Sequence, residues 1–225
     1  MAPARAAEGR LESRPSARSP SLPLPAGVHE VPLGAGSDAL LAVPPGEPVA
    51  RPLLVFCHGA GGTAGSALRT VGEVAADRGV LVLATSSTAS TWDLIAGGLG
   101  QDVAVLDAAL AEVSARVPVA GLAVGGFSDG ASYALSLGLA NGDLFDAVLA
   151  FSPGFMAPPS ARGRPRVWLC HGRQDRVLPV ERCGRRVAGH LRGAGYDVTY
   201  EEFDGGHAVT PALVRAAVDT WLGET

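Results

Sequence analysis

Short runs of apolar residues recur along the chain and predict the strands of a sheet. The segment 53–57 is apolar throughout, and further strand-like runs occur at 80–84, 119–124, 147–151, 167–170 and 198–203. Apolar runs without polar alternation are typical of parallel strands that are covered on both faces. Two shorter strands are predicted between Val28 and Val43, around the turn Gly34-Ala35-Gly36.

Helical patterns separate most of these runs. From Val103 to Val117 the apolar positions are alternately three and four residues apart, which makes one apolar helix face. A similar face near the C-terminus follows Thr210, an N-cap residue, and Pro211, which suits the first helical position. Strands that alternate with helices predict an α/β fold with a mainly parallel sheet and helices on both faces.

The length and composition predict one folded domain over residues 27–225. The chain has 225 residues, of which 47% are hydrophobic, which is enough for one well-buried core. Residues 1–26 are rich in Ala, Arg, Ser and Pro and predict a disordered tail without the apolar segment of a secretory signal. The link 152–166 is too short for a cap domain, so we expect an open site.

Charge and cysteine content exclude several classes of partner. A net charge of −4 and a pI near 5.7 argue against binding to nucleic acid or to an anionic membrane. No apolar stretch reaches the roughly 18 residues of a membrane span, and no spacing of residues predicts a metal or cofactor site. The three cysteines, Cys57, Cys170 and Cys183, are expected to be reduced core residues. We therefore expect a cytoplasmic protein of bacterial origin, and the oligomeric state is left open.

The pentapeptide Gly126-Phe127-Ser128-Asp129-Gly130 is the main candidate for chemistry. It follows the strand 119–124 and precedes a helix-like segment, which is the context that a Gly-x-Ser-x-Gly nucleophile elbow requires. Glycine at both ends lets the chain turn sharply enough to present the serine hydroxyl above the sheet. Because the chain has 30 glycines, such a motif arises easily by chance and by itself is weak support for a nucleophilic serine. The residues that could act together with Ser128 are therefore decisive.

Partners for Ser128 occur after three other strands. The glycine-rich turn at 58–62 is placed where this architecture supplies half of an oxyanion hole, so the N–H groups of Ala60 and Asp129 are the expected donors. Asp175 and His207 follow the last two strands, in the chain order Ser, Asp, His. His207 is the expected base and Asp175 the acid that orients it, with Asp204 as the rival acid.

Several segments together resemble the phospholipase/carboxylesterase branch of the α/β-hydrolases over residues 50–223. The matching motifs are His58-Gly59-x-Gly61, Gly126-Phe127-Ser128-x-Gly130, Phe151-Ser152-Pro153-Gly154, Cys170-His171-Gly172-x-x-Asp175 and Gly206-His207. The resemblance implies an α/β-hydrolase fold and metal-free hydrolysis of carboxylic esters or thioesters, with Ser128, Asp175 and His207 matching the triad of the family.

Substrate preference rests on fewer residues. Many members of the family have glutamine after the nucleophile, whereas this chain has Asp129, whose charge is expected to disfavour anionic acyl groups. Trp92, Phe155 and Met156 follow predicted strands and are candidates for an acyl pocket, or else they pack the loops. The leading interpretation is an esterase for small to medium acyl chains. A thioesterase, lactonase or peptidase with the same triad, or a noncatalytic ligand-binding protein of this fold, are the alternatives.

Overall fold

The computed structural model describes residues 4–18, 24–34 and 38–223, and the strands of this part of the chain form one eight-stranded sheet. The strands are β1 (Gly27–Glu30), β2 (Ala39–Val43), β3 (Arg51–Cys57), β4 (Leu81–Thr85), β5 (Val119–Phe127), β6 (Ala147–Phe151), β7 (Arg166–Gly172) and β8 (Val198–Phe203). Their spatial order is β1-β2-β4-β3-β5-β6-β7-β8. Strands β1 and β2 are antiparallel to their neighbours, and the other six run parallel.

Helices cover both faces of the sheet. They are α1 (Ala4–Ala7), α2 (Ala64–Asp77), α3 (Asp93–Ala96), α4 (Gln101–Ser114), α5 (Asp129–Ala140), α6 (Gly184–Gly193) and α7 (Pro211–Leu222). Buried side chains of α4, α5 and α6 join one apolar cluster, and those of α2 and α7 join a second cluster on the opposite face. The predicted α/β-hydrolase architecture is confirmed, and its six parallel strands bring their carboxyl ends to one edge.

Local signals in the sequence account for several element boundaries. Helix α7 begins at Pro211 behind Thr210, whose side chain accepts a hydrogen bond from the Leu213 N–H. Helix α4 ends at Ser114, before Val117, the last apolar position of the predicted face, and the Val117 N–H still donates to the Val113 carbonyl at 2.9 Å. The turn expected around Gly34 lies mostly outside the described residues. All three cysteines are buried and free, as predicted.

Residues 4–18 pack on the domain, which differs from the disorder that their composition predicts. Leu11 is 1% exposed and joins the core cluster with α4 and α5. The Arg10 guanidinium donates two hydrogen bonds of 2.8 Å to Asp143, and this contact lowers the pKa of the Asp143 carboxyl to about 2. Asn141 accepts a bond from the Leu11 N–H and donates one to Gly9. Residues 1–3 and 19–23 lie outside the described part. In the part described, no helix has the length and apolar character needed to cross a membrane.

The substitution Asn141→Ala is expected to loosen this N-terminal segment. It removes the buried partner of both Leu11 and Gly9 and leaves polar backbone groups unpaired, at a cost of about 1–3 kcal/mol. Urea denaturation measures the loss, and trypsin should cleave after the arginines of the segment faster than in the wild type. Ser114→Ala, at a partly exposed site, is the control. Unchanged stability and cleavage in Asn141→Ala would contradict a role for these contacts.

Candidate active site

Ser128 occupies a strained turn between β5 and α5. Its backbone has φ 57° and ψ −119°, outside the region that residues with a side chain normally adopt. The Ser128 N–H donates a 3.0 Å hydrogen bond to the Phe151 carbonyl of the neighbouring strand. Strain of about 1–3 kcal/mol is typical of such a residue and persists only where the surrounding structure holds it. The turn therefore keeps the Ser128 side chain at the carboxyl edge of the sheet.

The two glycines of the pentapeptide are required by close backbone packing. A Cβ atom at Gly126 would lie 2.3 Å from the Gly130 carbonyl oxygen, and one at Gly130 would lie 2.2 Å from the Cys57 carbonyl oxygen. Real Cβ atoms do not approach backbone oxygens so closely. The expected crowding at both positions is confirmed, and the end of β3 is packed directly against the turn that carries Ser128.

Hydrogen bonds connect Ser128, His207 and Asp175 in series. The His207 Nε2 atom lies 2.9 Å from the Ser128 Oγ atom, and its Nδ1 atom lies 2.6 Å from the Asp175 Oδ2 atom. The three side chains come from the loops that follow β5, β8 and β7. Asp204, the rival acid, is exposed and pairs with Arg173 at 2.7 Å. Of the two candidate acids, the fold brings only Asp175 to His207.

The environment of Asp175 favours its ionised form. Burial by itself raises the pKa of the Asp175 carboxyl, but hydrogen bonds from the Leu178 N–H, the His207 ring and the Val177 N–H outweigh burial and hold the pKa below its ordinary value. An ionised acceptor at Oδ2 requires the Nδ1–H tautomer of His207. That tautomer leaves Nε2 free to accept the proton of the Ser128 hydroxyl.

His171 supports Asp175 from the inside of the fold. Its side chain is fully buried, and its Nε2 atom donates to the Leu178 carbonyl at 2.7 Å and lies 3.3 Å from the Asp175 Oδ2 atom. Burial lowers the pKa of His171, so the ring is neutral. A Cβ atom at Gly184 would lie 2.7 Å from this ring, which explains glycine at the start of α6.

The substitution His171→Asn is expected to reduce kcat about ten- to hundredfold with little change in KM. The loss of the hydrogen bond to the Leu178 carbonyl frees the loop whose N–H groups hold Asp175. Asp175 is then less well aligned with His207, which lowers the rate. Steady-state kinetics on a p-nitrophenyl ester measure it. His190→Asn, at an exposed position on α6, is the matched control. Equal kinetics in both variants would show that His171 does not position the acid.

Two N–H groups beside Ser128 are available as donors. Among the described residues, neither the Ala60 N–H nor the Asp129 N–H donates to a protein acceptor. The turn that carries Ala60 is close to Ser128, since a Cβ atom at Gly59 would lie 3.5 Å from the Cβ atom of Ser128. The Gly61 N–H donates to the Ser90 carbonyl at 2.7 Å and fixes the turn.

The candidate substrate residues have different positions. Trp92 is fully buried: its ring stacks on Tyr133 at 4.5 Å, and its Nε1–H donates to the His58 carbonyl at 2.9 Å. No surface of Trp92 is open to a ligand, so the structure does not bring it into an acyl pocket; it packs the loop. Phe155 is 39% exposed, whereas Met156 is half-buried against the core.

Three contacts near the site are not evident from the sequence. The Phe127 ring packs on His207 with centroids 4.7 Å apart, and the Thr91 hydroxyl donates to Asp129 at 2.7 Å. The Ser132 hydroxyl accepts from the Gly154 N–H at 3.0 Å and ties the loop that carries Phe155 to helix α5. Of these three contacts, only the one made by Phe127 has a signal in the sequence, because Phe127 is adjacent to Ser128 in the motif.

Comparison with known proteins places the chain in a family. A family model described as Phospholipase/Carboxylesterase matches residues 103–220, more than half of the chain. The chain belongs to this phospholipase/carboxylesterase family. Among solved structures, esterase PE8 is 25% identical with a TM-score of 0.63, over 82% of this chain and 98% of that chain. Family membership and this likeness identify an esterase-type hydrolase. No curated protein gives a significant sequence match.

More distant structures of this type share the fold. Est1E from Butyrivibrio proteoclasticus is 18% identical with a TM-score of 0.64, over 88% of this chain and 98% of that chain. The S-formylglutathione hydrolase FrmB from Staphylococcus aureus is 14% identical with a TM-score of 0.68, over 89% of this chain and 99% of that chain. In the described part of this family member, no cluster of three or more His, Cys, Asp or Glu residues is arranged to hold a metal ion.

Proposed function

We propose that this protein hydrolyses carboxylic esters of small to medium acyl chains through an acyl-enzyme on Ser128. The observation that carries the proposal is the hydrogen-bond series from Ser128 through His207 to Asp175, at 2.9 and 2.6 Å. A serine hydroxyl is a weak nucleophile at neutral pH and needs a base within hydrogen-bond reach. His207 meets this geometric requirement, and Asp175 supplies the third group.

The chemistry proceeds in two halves. The Ser128 Oγ atom attacks the ester carbonyl carbon while His207 Nε2 takes the hydroxyl proton, and the resulting tetrahedral intermediate collapses as His207 returns the proton to the leaving alkoxide. Water then attacks the acyl-enzyme with His207 again as base, and the carboxylic acid and free Ser128 are released. Asp175 stabilises the imidazolium that forms in each half.

Backbone donors stabilise the negative charge that develops on the carbonyl oxygen. The N–H groups of Ala60 and Asp129 have no protein acceptor in the described structure and belong to a rigid turn and a helix start, which suits a preorganised oxyanion hole. Each such donor typically contributes about 3–4 kcal/mol to transition-state stabilisation. The macrodipole of α5 adds partial positive charge at the same point.

Acyl-chain preference tests the substrate assignment. On a p-nitrophenyl ester series from two to twelve acyl carbons, we expect kcat/KM to be greatest between about two and eight, because an uncapped site has little enclosed surface for a longer chain. Phe155→Ala should lower the values for the longer of these chains about tenfold, by the loss of apolar contact. Val49→Ala, an exposed apolar residue elsewhere, is the control. An optimum at twelve carbons, or no effect of Phe155→Ala, would contradict this part of the proposal.

A further inference from the structure

A carboxylate without a cationic partner lies beside the nucleophile. Asp129 directly follows Ser128, is half-buried, and accepts a 2.7 Å hydrogen bond from the Thr91 hydroxyl at its Oδ2 atom. Among the described residues, no arginine or histidine lies within ion-pair distance of it. Asp129 is the acidic residue in the first turn of α5, where the helix macrodipole interacts favourably with a carboxylate.

The sheet order fixes the side of the site on which this carboxylate lies. The loop that carries Thr91 follows β4, and the glycine turn 58–62 follows β3, on one side of β5. Asp175 and His207 follow β7 and β8, on the other side. The Gly61 N–H bonds to Ser90, next to Thr91, so the contact between Thr91 and Asp129 is directly beside the proposed oxyanion hole.

The charges of the two sides differ. The segments 58–63, 86–102 and 129–140 contain Asp93, Asp102 and Asp129 and no lysine or arginine. The carboxylates of Asp93 and Asp102 accept hydrogen bonds from backbone N–H groups of their own loop, and Asp102 is fully buried. The segment 173–186 on the opposite side contains five arginines beside two acids, Asp175 and Glu181, so its net charge is positive. Of these three acids, Asp129 is therefore the one whose carboxylate is placed to interact with a charged group of a bound ester.

We infer that Asp129 makes the enzyme prefer esters that carry a positive charge on the side of the carbonyl nearest to the glycine turn. The inference rests on the proposed function and adds a class of substrate to it. A fixed carboxylate attracts a cationic group and repels an anionic one, and the interaction is strong where water is partly excluded. The Thr91 hydrogen bond holds the carboxylate in place, so little side-chain entropy is lost when the cation binds.

Matched pairs of esters measure this preference without a change in shape. Butyrylcholine is compared with 3,3-dimethylbutyl butyrate, its neutral carbon isostere, for a charge on the alcohol. The p-nitrophenyl ester of 4-trimethylammoniobutyrate is compared with that of 5,5-dimethylhexanoate for a charge on the acyl group. In at least one pair we expect about a tenfold higher kcat/KM for the cation, from one unit charge at roughly 6 Å in a partly screened site.

Two variants separate charge from structure. Asp129→Asn keeps the backbone N–H and the size of the side chain but removes the charge. In this variant the kcat/KM values of the cationic and the neutral ester of the preferred pair should be nearly equal. Thr91→Val removes the hydrogen bond that holds the carboxylate but keeps its charge, so the cation preference should remain and fall by no more than about twofold. The wild-type ratio should also fall as salt is raised from about 0.01 to 1 M.

The results distinguish a failure of the cation preference from a failure of the proposed ester hydrolysis. Hydrolysis of the neutral esters together with no cation preference in either pair overturns the inference and leaves the proposed function intact. A preference that persists in Asp129→Asn also overturns it. If the wild type hydrolyses none of the four esters, the proposed function itself fails.

Discussion

Asp175→Asn is expected to lower kcat by about 10³–10⁴-fold while the protein stays folded. The asparagine can still accept hydrogen bonds from the Val177 and Leu178 N–H groups, but its amide NH₂ can donate to His207 Nδ1 and so favours the Nε2–H tautomer. In that tautomer Nε2 cannot accept the proton of Ser128. The effect is large because all general-base assistance is lost in both halves of the reaction.

The measurement is kcat on p-nitrophenyl acetate, with thermal unfolding to confirm that the variant is native. Asp204→Asn is the matched control, since it changes the same residue type in the same part of the site but affects an exposed pair with Arg173. It should retain activity within about twofold. If Asp175→Asn keeps more than a tenth of the wild-type kcat, or if Asp204→Asn loses as much as Asp175→Asn does, the acid has been assigned wrongly.

Gly130→Ala is expected to damage both stability and activity. The new methyl group would lie 2.2 Å from the Cys57 carbonyl oxygen and 2.3 Å from that of His58, so the end of β3 and the turn that carries Ser128 must separate. Forced backbone shifts in a packed core cost about 3 kcal/mol or more. The same shift moves the turn that carries Ala60, and we expect kcat/KM to fall at least a hundredfold.

Urea denaturation and ester kinetics on the purified variant test both parts. Gly189→Ala is the control: this glycine lies in α6 with open space around its Cβ position, and alanine there should be neutral or stabilising by up to about 1 kcal/mol. If Gly130→Ala does not accumulate as folded protein while Gly189→Ala does, the stability part is supported. Normal stability and kinetics in Gly130→Ala would contradict the packing described for the turn.

The grouping of Ser128, Asp175 and His207 was predictable from the sequence because all three residues follow the ends of strands. Apolar runs identified β5, β7 and β8, and in a parallel sheet their carboxyl ends meet at one edge, so Ser128, Asp175 and His207 were expected to be neighbours. Which acid contacts His207 depends on the loop conformation after β7. Asp175 and Asp204 both satisfied the spacing, and only the three-dimensional arrangement separates them.

Other features depend on contacts between distant parts of the chain, which local patterns do not contain. Leu11 contacts Asn141 and Arg10 contacts Asp143, which are 130 and 133 residues away along the chain. The composition of the first 26 residues therefore predicted disorder where residues 4–18 are packed. Trp92 was a candidate pocket residue because a tryptophan in a loop is compatible with either surface or core. Its burial depends on Tyr133 and on a backbone acceptor at His58, which the sequence did not indicate.

Covalent labelling of Ser128 tests the central claim most directly. A fluorophosphonate should add one phosphonyl group to the wild-type protein, and tandem mass spectrometry of the tryptic peptide 117–162 should place it on Ser128 and not on Ser132, Ser136, Ser152 or Ser160 of the same peptide. Ser128→Ala should abolish the label, and His207→Ala should slow its attachment by orders of magnitude. A label on another serine, or equal labelling of Ser128→Ala, would contradict the account.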